Sequence, residues 1–160
     1  MNEKDNLQNF IDFIIELAHD EFDYCIGAIA IGKISMRYYF RHGGCLELAK
    51  VLQYFIPSAR ICYNVAEEHF VIKHNGVYYD AEAKFTENQG FQEISAEYIH
   101  NFEEKYGKDI LFEGKPVHLA LIQELKNCSG TYINNLIDAI NNSNEENISR
   151  TLVVKTAENN

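Results

Sequence analysis

Positive charge is scarce in this chain. Lys and Arg number 14 against 24 Asp and Glu, giving a net charge of −10 over 160 residues. Such a chain repels a phosphate backbone, so no nucleic-acid partner is expected, and an anionic membrane surface is disfavoured on the same ground. Long apolar runs are missing too. The longest, Ile26–Ile34, is interrupted by Gly27, Gly32 and Lys33 and is far short of the roughly 20 residues of a spanning helix, so no membrane partner is expected. Met1–Asn9 is polar and mixed in charge, unlike a secretory leader. Among the four cysteines, Cys25, Cys45, Cys62 and Cys128, no two form a C-x-x-C pair. A structural zinc site is therefore unsupported, and neither a metal nor an organic cofactor is expected. A chain of this length folds without cross-links, so reduced thiols in a cytoplasmic setting are the simpler expectation. A protein delivered to a host cell by a signal-less route has the same composition.

What is present is an ordinary globular balance, 46% hydrophobic and 24% charged. It suits one domain over residues 1–142, followed by a tail, residues 143–160, rich in Asn and Glu. Leu7–His19 reads as an amphipathic helix with Phe10, Phe13, Ile14 and Leu17 on one stripe. Glu21–Phe40 has the spacing of a second helix, weakened by Gly27 and Gly32. Cys45–Phe55 is a third, ended by Pro57. Three strands are expected next, at Arg60–Val65, Glu68–His74 and Val77–Ala83, with Thr86–Phe91 as a loop. Later helices are expected from Ser95 to Tyr106-Gly107, over Val117–Asn127 and over Tyr132–Asn141, and Thr151–Val154 has the pattern of an edge strand. The fold class is α+β, with a helix carrying Cys45 packed on a small antiparallel sheet and further helices on its flanks.

The chemistry concentrates in Gly43-Gly44-Cys45-Leu46-Glu47-Leu48. Two glycines lead into a cysteine that opens a helix, where free backbone N–H groups and the helix dipole favour a thiolate. His69 follows on a strand, and Asp80 on the next, after the Asn75-Gly76 turn. A two-residue Asn-Gly turn pairs His74 with Val77. Extrapolated, that register sets His69 opposite Glu82 and Val71 opposite Asp80. His69 and Asp80 then become diagonal neighbours on one face, roughly 7–8 Å apart at the backbone. One added loop residue would send them to opposite faces. That face carries His69, Val71, Lys73, Tyr78, Asp80 and Glu82 and reads as polar and reactive; the other, with Phe70, Ile72, Val77, Tyr79 and Ala81, reads as core. A nucleophile, a base and an orienting carboxylate are the parts of a cysteine acyl-transfer site.

The run Gly-Gly-Cys-Leu-Glu-Leu-Ala-Lys-Val-Leu, then Glu-His-Phe-Val-Ile, then Asn-Gly-Val-Tyr-Tyr-Asp-Ala, resembles the papain-like superfamily in its transglutaminase-like branch. The resemblance covers roughly Tyr38–Ala83. It implies Cys45 as nucleophile, His69 as base and Asp80 as third member. It implies a thioester intermediate and activity as a peptidase, amidase, deamidase or transglutaminase on a protein, peptide or small amide or amine substrate. The chain has no Trp, where many members carry one near the cysteine, and no Gln just before Cys45 to serve the oxyanion. Tyr39, Arg41, His42 or the backbone at Gly44 are the candidates for that role and for the cleft wall.

Each residue has a plainer reading. A lone cysteine on a helix is usually a small apolar core residue. His42 is a rival base with no carboxylate placed to orient it. His74 beside the turn is expected to be exposed, and His19, His100 and His118 to be structural or solvated. Cys25 and Cys62 read as core, with Cys62 also a candidate resolving thiol for redox chemistry with Cys45. Glu67, Glu68 and Glu82 can attract a basic substrate or simply form a solvated edge. A catalytically silent fold that holds a peptide or protein in its cleft is the alternative function.

Overall fold

The computed structural model describes residues 4–29, 36–106, 111–112, 114–128 and 130–143. Helix α1 spans Asn6–Ile29. Asp5 caps it reciprocally with Gln8: Asp5 Oδ1 accepts the Gln8 N–H at 2.9 Å, and the Asp5 N–H donates to Gln8 Oε1 at 3.2 Å. Leu7, Phe10, Ile11, Ile14, Ile15 and Ala18 form its buried stripe. The expected break before Glu21 is absent, and the helix runs through Gly27; a helix tolerates a single glycine at a modest cost. The expected second helix is therefore divided between the end of α1 and α2, Met36–His42. Helix α3, Cys45–Phe55, is central: Cys45, Leu46, Leu48, Ala49, Val51 and Leu52 are all buried. It packs on α2, on the sheet and on α5, Val117–Asn127.

The sheet is antiparallel with five strands in the order β4-β3-β2-β1-β5. These are β1, Arg60–Asn64, β2, His69–His74, β3, Val77–Tyr79, β4, Lys84–Phe85, and β5, Gln92–Glu93. Asn75 and Gly76 have φ of 52° and 76°, a two-residue turn of the kind that matches strand twist. His74 pairs with Val77 as expected, and the ladder continues to Ile72 and Tyr79. It stops there. Asp80 Oδ1 accepts the N–H groups of Glu82 and Ala83, both at 2.8 Å, and the Asp80 N–H donates to the Ala83 carbonyl. This local closure competes with the ladder and turns the chain into β4, so the expected strand to Ala83 ends three residues into its run.

The two sheet faces differ from expectation on one side. Phe70, Ile72, Tyr79 and Ala81 join the helical core as foreseen. The opposite face is apolar as well: Cys62, Val71, Tyr78 and Phe91 form a second buried cluster, with Phe85 against it. The segment from Phe85 to Phe91 folds over this face, and Tyr78 stacks on Phe85 at 5.3 Å. His74 is buried rather than exposed. The end of α6, Thr131–Asn142, lies over the turn, where Asn75 Nδ2 donates to the Ser143 carbonyl at 2.6 Å. Helix α4, Ala96–Tyr106, starts where Ser95 Oγ accepts the Tyr98 N–H at 3.1 Å. A short hairpin, β6, Leu111–Phe112, and β7, Lys115–Pro116, leads into α5. No helix among the described residues is long and apolar enough to cross a membrane. Thr151–Val154 and the Cys25 side chain lie outside what is described.

Candidate functional site

Cys45 is the first residue of α3, immediately after the cap residue Gly44. The α2 to α3 junction is tight: the N–H groups of Gly43 and Gly44 both donate to the Tyr39 carbonyl, at 3.0 and 2.7 Å. A Cβ on Gly44 would fall 2.3 Å from Tyr39 Cε1, so only glycine lets the tyrosine ring lie across the helix start. The Leu48 N–H, bonded to the Gly44 carbonyl at 3.1 Å, makes the first intrahelical bond. The amides of Cys45, Leu46 and Glu47 come before it, in the turn where helix N–H groups point outward.

His69 opens β2 and is buried. Its Nε2 lies 3.2 Å from Asp80 Oδ2, and Cys45 lines the same cleft beside it. The Phe91 ring meets it edge-on at 6.1 Å. Burial opposes the charged imidazole, but the bonds to Asp80 and Cys45 outweigh it and hold the His69 pKa up at about 9. Burial likewise opposes the Asp80 carboxylate. The bond from His69, the two backbone N–H groups of its own turn and the nearby Arg41 charge overcome that and lower its pKa.

Asp80 is held from α2 as well. Arg41 Nε stands 3.4 Å from Asp80 Oδ2 and 3.8 Å from Glu82 Oε2. One turn earlier, Arg37 Nη1 donates to the Ala81 carbonyl while Nη2 pairs with Asp12 of α1 at 2.9 Å. Arg37 and Arg41 share a helix face by their i, i+4 spacing, the one signal in the sequence that could have marked them as a pair. On the other side of α3, Glu47 is fully buried; its Oε2 accepts the His118 N–H at 2.6 Å and contacts His118 Nδ1 at 2.7 Å.

An open cleft of about 240 Å³ lies over Cys45 and His69, lined also by Arg41, His42, Glu67 and Phe102 among others. The structure thus brings Cys45, His69 and Asp80 together. Arg41 and His42 reach the cleft, but Arg41 faces carboxylates and the exposed His42 stacks on Tyr38 at 4.2 Å. Tyr39 and Gly44 form the joint behind the cysteine, and the Gly44 N–H is already bonded. Cys62 does not fit the resolving role. It belongs to the cluster on the far face of the sheet, and burial and Glu93 push its thiol up to about 11.

The chain is an α+β protein with a five-stranded antiparallel sheet and a cysteine-bearing helix packed on it. Residues 25–122, more than half of it, match the family model described as Phage YunG-like protein, and the chain belongs to that family. No curated protein matches it. No solved structure matches it either.

Proposed function

We propose that the chain is a cysteine-dependent enzyme that transfers an acyl group at an amide, in the manner of papain-like and transglutaminase-like proteins. The observation that carries this reading is the buried His69 ring, bonded to the Asp80 carboxylate and sharing the lining of an open cleft with Cys45. Each group has a role. The Cys45 thiolate attacks the amide carbonyl carbon, and the negative charge moves to the carbonyl oxygen. N–H groups of the first turn of α3 are the donors available to that oxygen. The intermediate collapses, the C–N bond breaks, and imidazolium His69 gives its proton to the leaving amine. A thioester on Cys45 remains. Water then attacks it, His69 takes the proton, and the acid leaves with the thiolate restored. Asp80 holds the ring orientation and favours its charged form.

The test is alkylation by iodoacetamide near neutral pH, followed by mass spectrometry at each cysteine. Selective modification of Cys45, slowed strongly in His69→Ala, is expected. Equal slow labelling of all four thiols would reject the enzyme and favour a cleft that only holds a peptide or protein.

A further inference from the structure

The two oxygens of the Asp80 carboxylate are held differently. Oδ1 accepts the Glu82 and Ala83 N–H groups, both at 2.8 Å, inside its own turn. Oδ2 is shared between the His69 ring, with Nε2 at 3.2 Å, and the Arg41 guanidinium, with Nε at 3.4 Å. Arg41 is the one Lys or Arg paired with Asp80 among the described residues, and it divides its charge with Glu82 at 3.8 Å. The turn itself has other supports. Arg37, one helical turn earlier, already ties the Ala81 carbonyl to Asp12 of α1. Arg41 therefore acts on the His69–Asp80 pair through its charge rather than as a prop.

We propose that Arg41 is a positioning residue that acts through Asp80: by taking part of Oδ2 it limits the hold of that oxygen on the His69 proton. Its use rests on the acyl-transfer reading. There the imidazolium surrenders its proton to the leaving amine, and a carboxylate left wholly to the ring would keep it. Burial opposes the charged ring, Asp80 favours it, and the Arg41 charge stands with burial. Other titratable groups stand around the same cleft. Cys45 of α3, His42 of α2, and Glu67 and Glu68 of the β1–β2 turn line it, and Glu103 of α4 is matched by Lys50 at 2.6 Å. Asn64, opposite His69 on β1, and Phe91, edge-on to the ring, carry no charge.

The test is NMR titration of the His69 ring nitrogens in the full chain carrying isotope-labelled histidine, from about pH 6 to about pH 11, with His69→Gln to assign the signal. In Arg41→Gln and in Arg41→Met the ring midpoint is expected to rise by about half a pH unit or more, because the repulsion is gone and Asp80 Oδ2 is left to the ring alone. Arg41→Lys keeps the charge and should stay within about 0.3 of the unmodified midpoint. Arg37→Gln loosens the turn without removing a charge that touches the pair, so it shows the sign of a purely structural change, a fall or no movement. A midpoint that stays or falls in both neutral variants of Arg41, or that rises as far in Arg41→Lys or Arg37→Gln, would overturn the proposal. Iodoacetamide labelling of Cys45 in the same samples tests acyl transfer separately. Labelling that did not depend on His69 would remove that reading, while the ring titration would still decide whether Arg41 governs the pair.

Discussion

Two histidines of this protein lie against buried carboxylates, and both pairs adjoin helix α3. His69 and Asp80 meet at 3.2 Å beside its first residue; His118 and Glu47 meet at 2.7 Å two residues further on. Judged by distance alone the second pair is the tighter. Yet it faces α5, where Glu47 serves both the ring and the backbone N–H of His118 and so caps a helix from outside, against the positive end of its dipole. The first pair shares an open cleft with the Cys45 side chain. A histidine–carboxylate bond is thus common structural material. What else stands beside the ring decides whether chemistry is possible.

The sharpest way to break this comparison is to delete each ring. His69→Ala should slow thiol alkylation and any turnover at Cys45 by about 10²–10⁴-fold, while His118→Ala leaves the alkylation rate within about twofold, both read by timed mass spectrometry. Equal losses would mean the two pairs do the same work. Asp80→Asn comes next. It should reduce turnover about 10²-fold, a share of what removing the base costs, and move the alkaline edge of activity, set by His69 near pH 9, downward, because the bond that favours the charged ring is weakened. An unmoved edge in the pH profile would detach Asp80 from His69.

The converse experiment is Glu47→Ala. It strips the cap and leaves the half-buried His118 N–H without its acceptor, so a loss of about 1–3 kcal/mol in denaturant unfolding is expected. His69-dependent labelling of Cys45 should persist in the fraction that stays folded. The pH dependence of stability is a gentler probe. The His69 pKa is about 9 in the folded protein against 6.5 as the ordinary value, so the folded state binds more protons between them. The stabilisation is complete below pH 6.5 and fades as pH rises through 9; unfolding free energy should fall by about 1–3 kcal/mol over that window. The slope should flatten in His69→Gln and survive in His118→Gln.

The difference between the pairs was half visible in the residues themselves. Asn75-Gly76 sets the register of β2 against β3, and that register is what carries His69 and Asp80 toward each other. Cys45 after two glycines announces a helix start. Glu47 gave no such sign. Nothing near it in the sequence marks it for burial, and its partner His118 arrives with α5 some 70 residues later. The polar reading of the far sheet face failed for a like reason, because Phe85 and Phe91 come from a segment whose periodicity is that of a loop. The strands β4 and β5 have two residues each, too few to show alternation. Side-chain closure by Asp80 ended β3 early, a competition that β-propensity does not register.

The joint between Tyr39 and Gly44 has a consequence for how such proteins can diverge. An aromatic ring occupies the volume that any side chain at position 44 would need, so the two sites are not free to drift separately. A lineage that acquires alanine or serine before the cysteine has to swing the ring of residue 39 aside or shrink it. Across relatives the pair should therefore be inherited as a unit. Gly44→Ala made alone should cost about 1–3 kcal/mol by overpacking, and Tyr39→Leu should recover part of that loss.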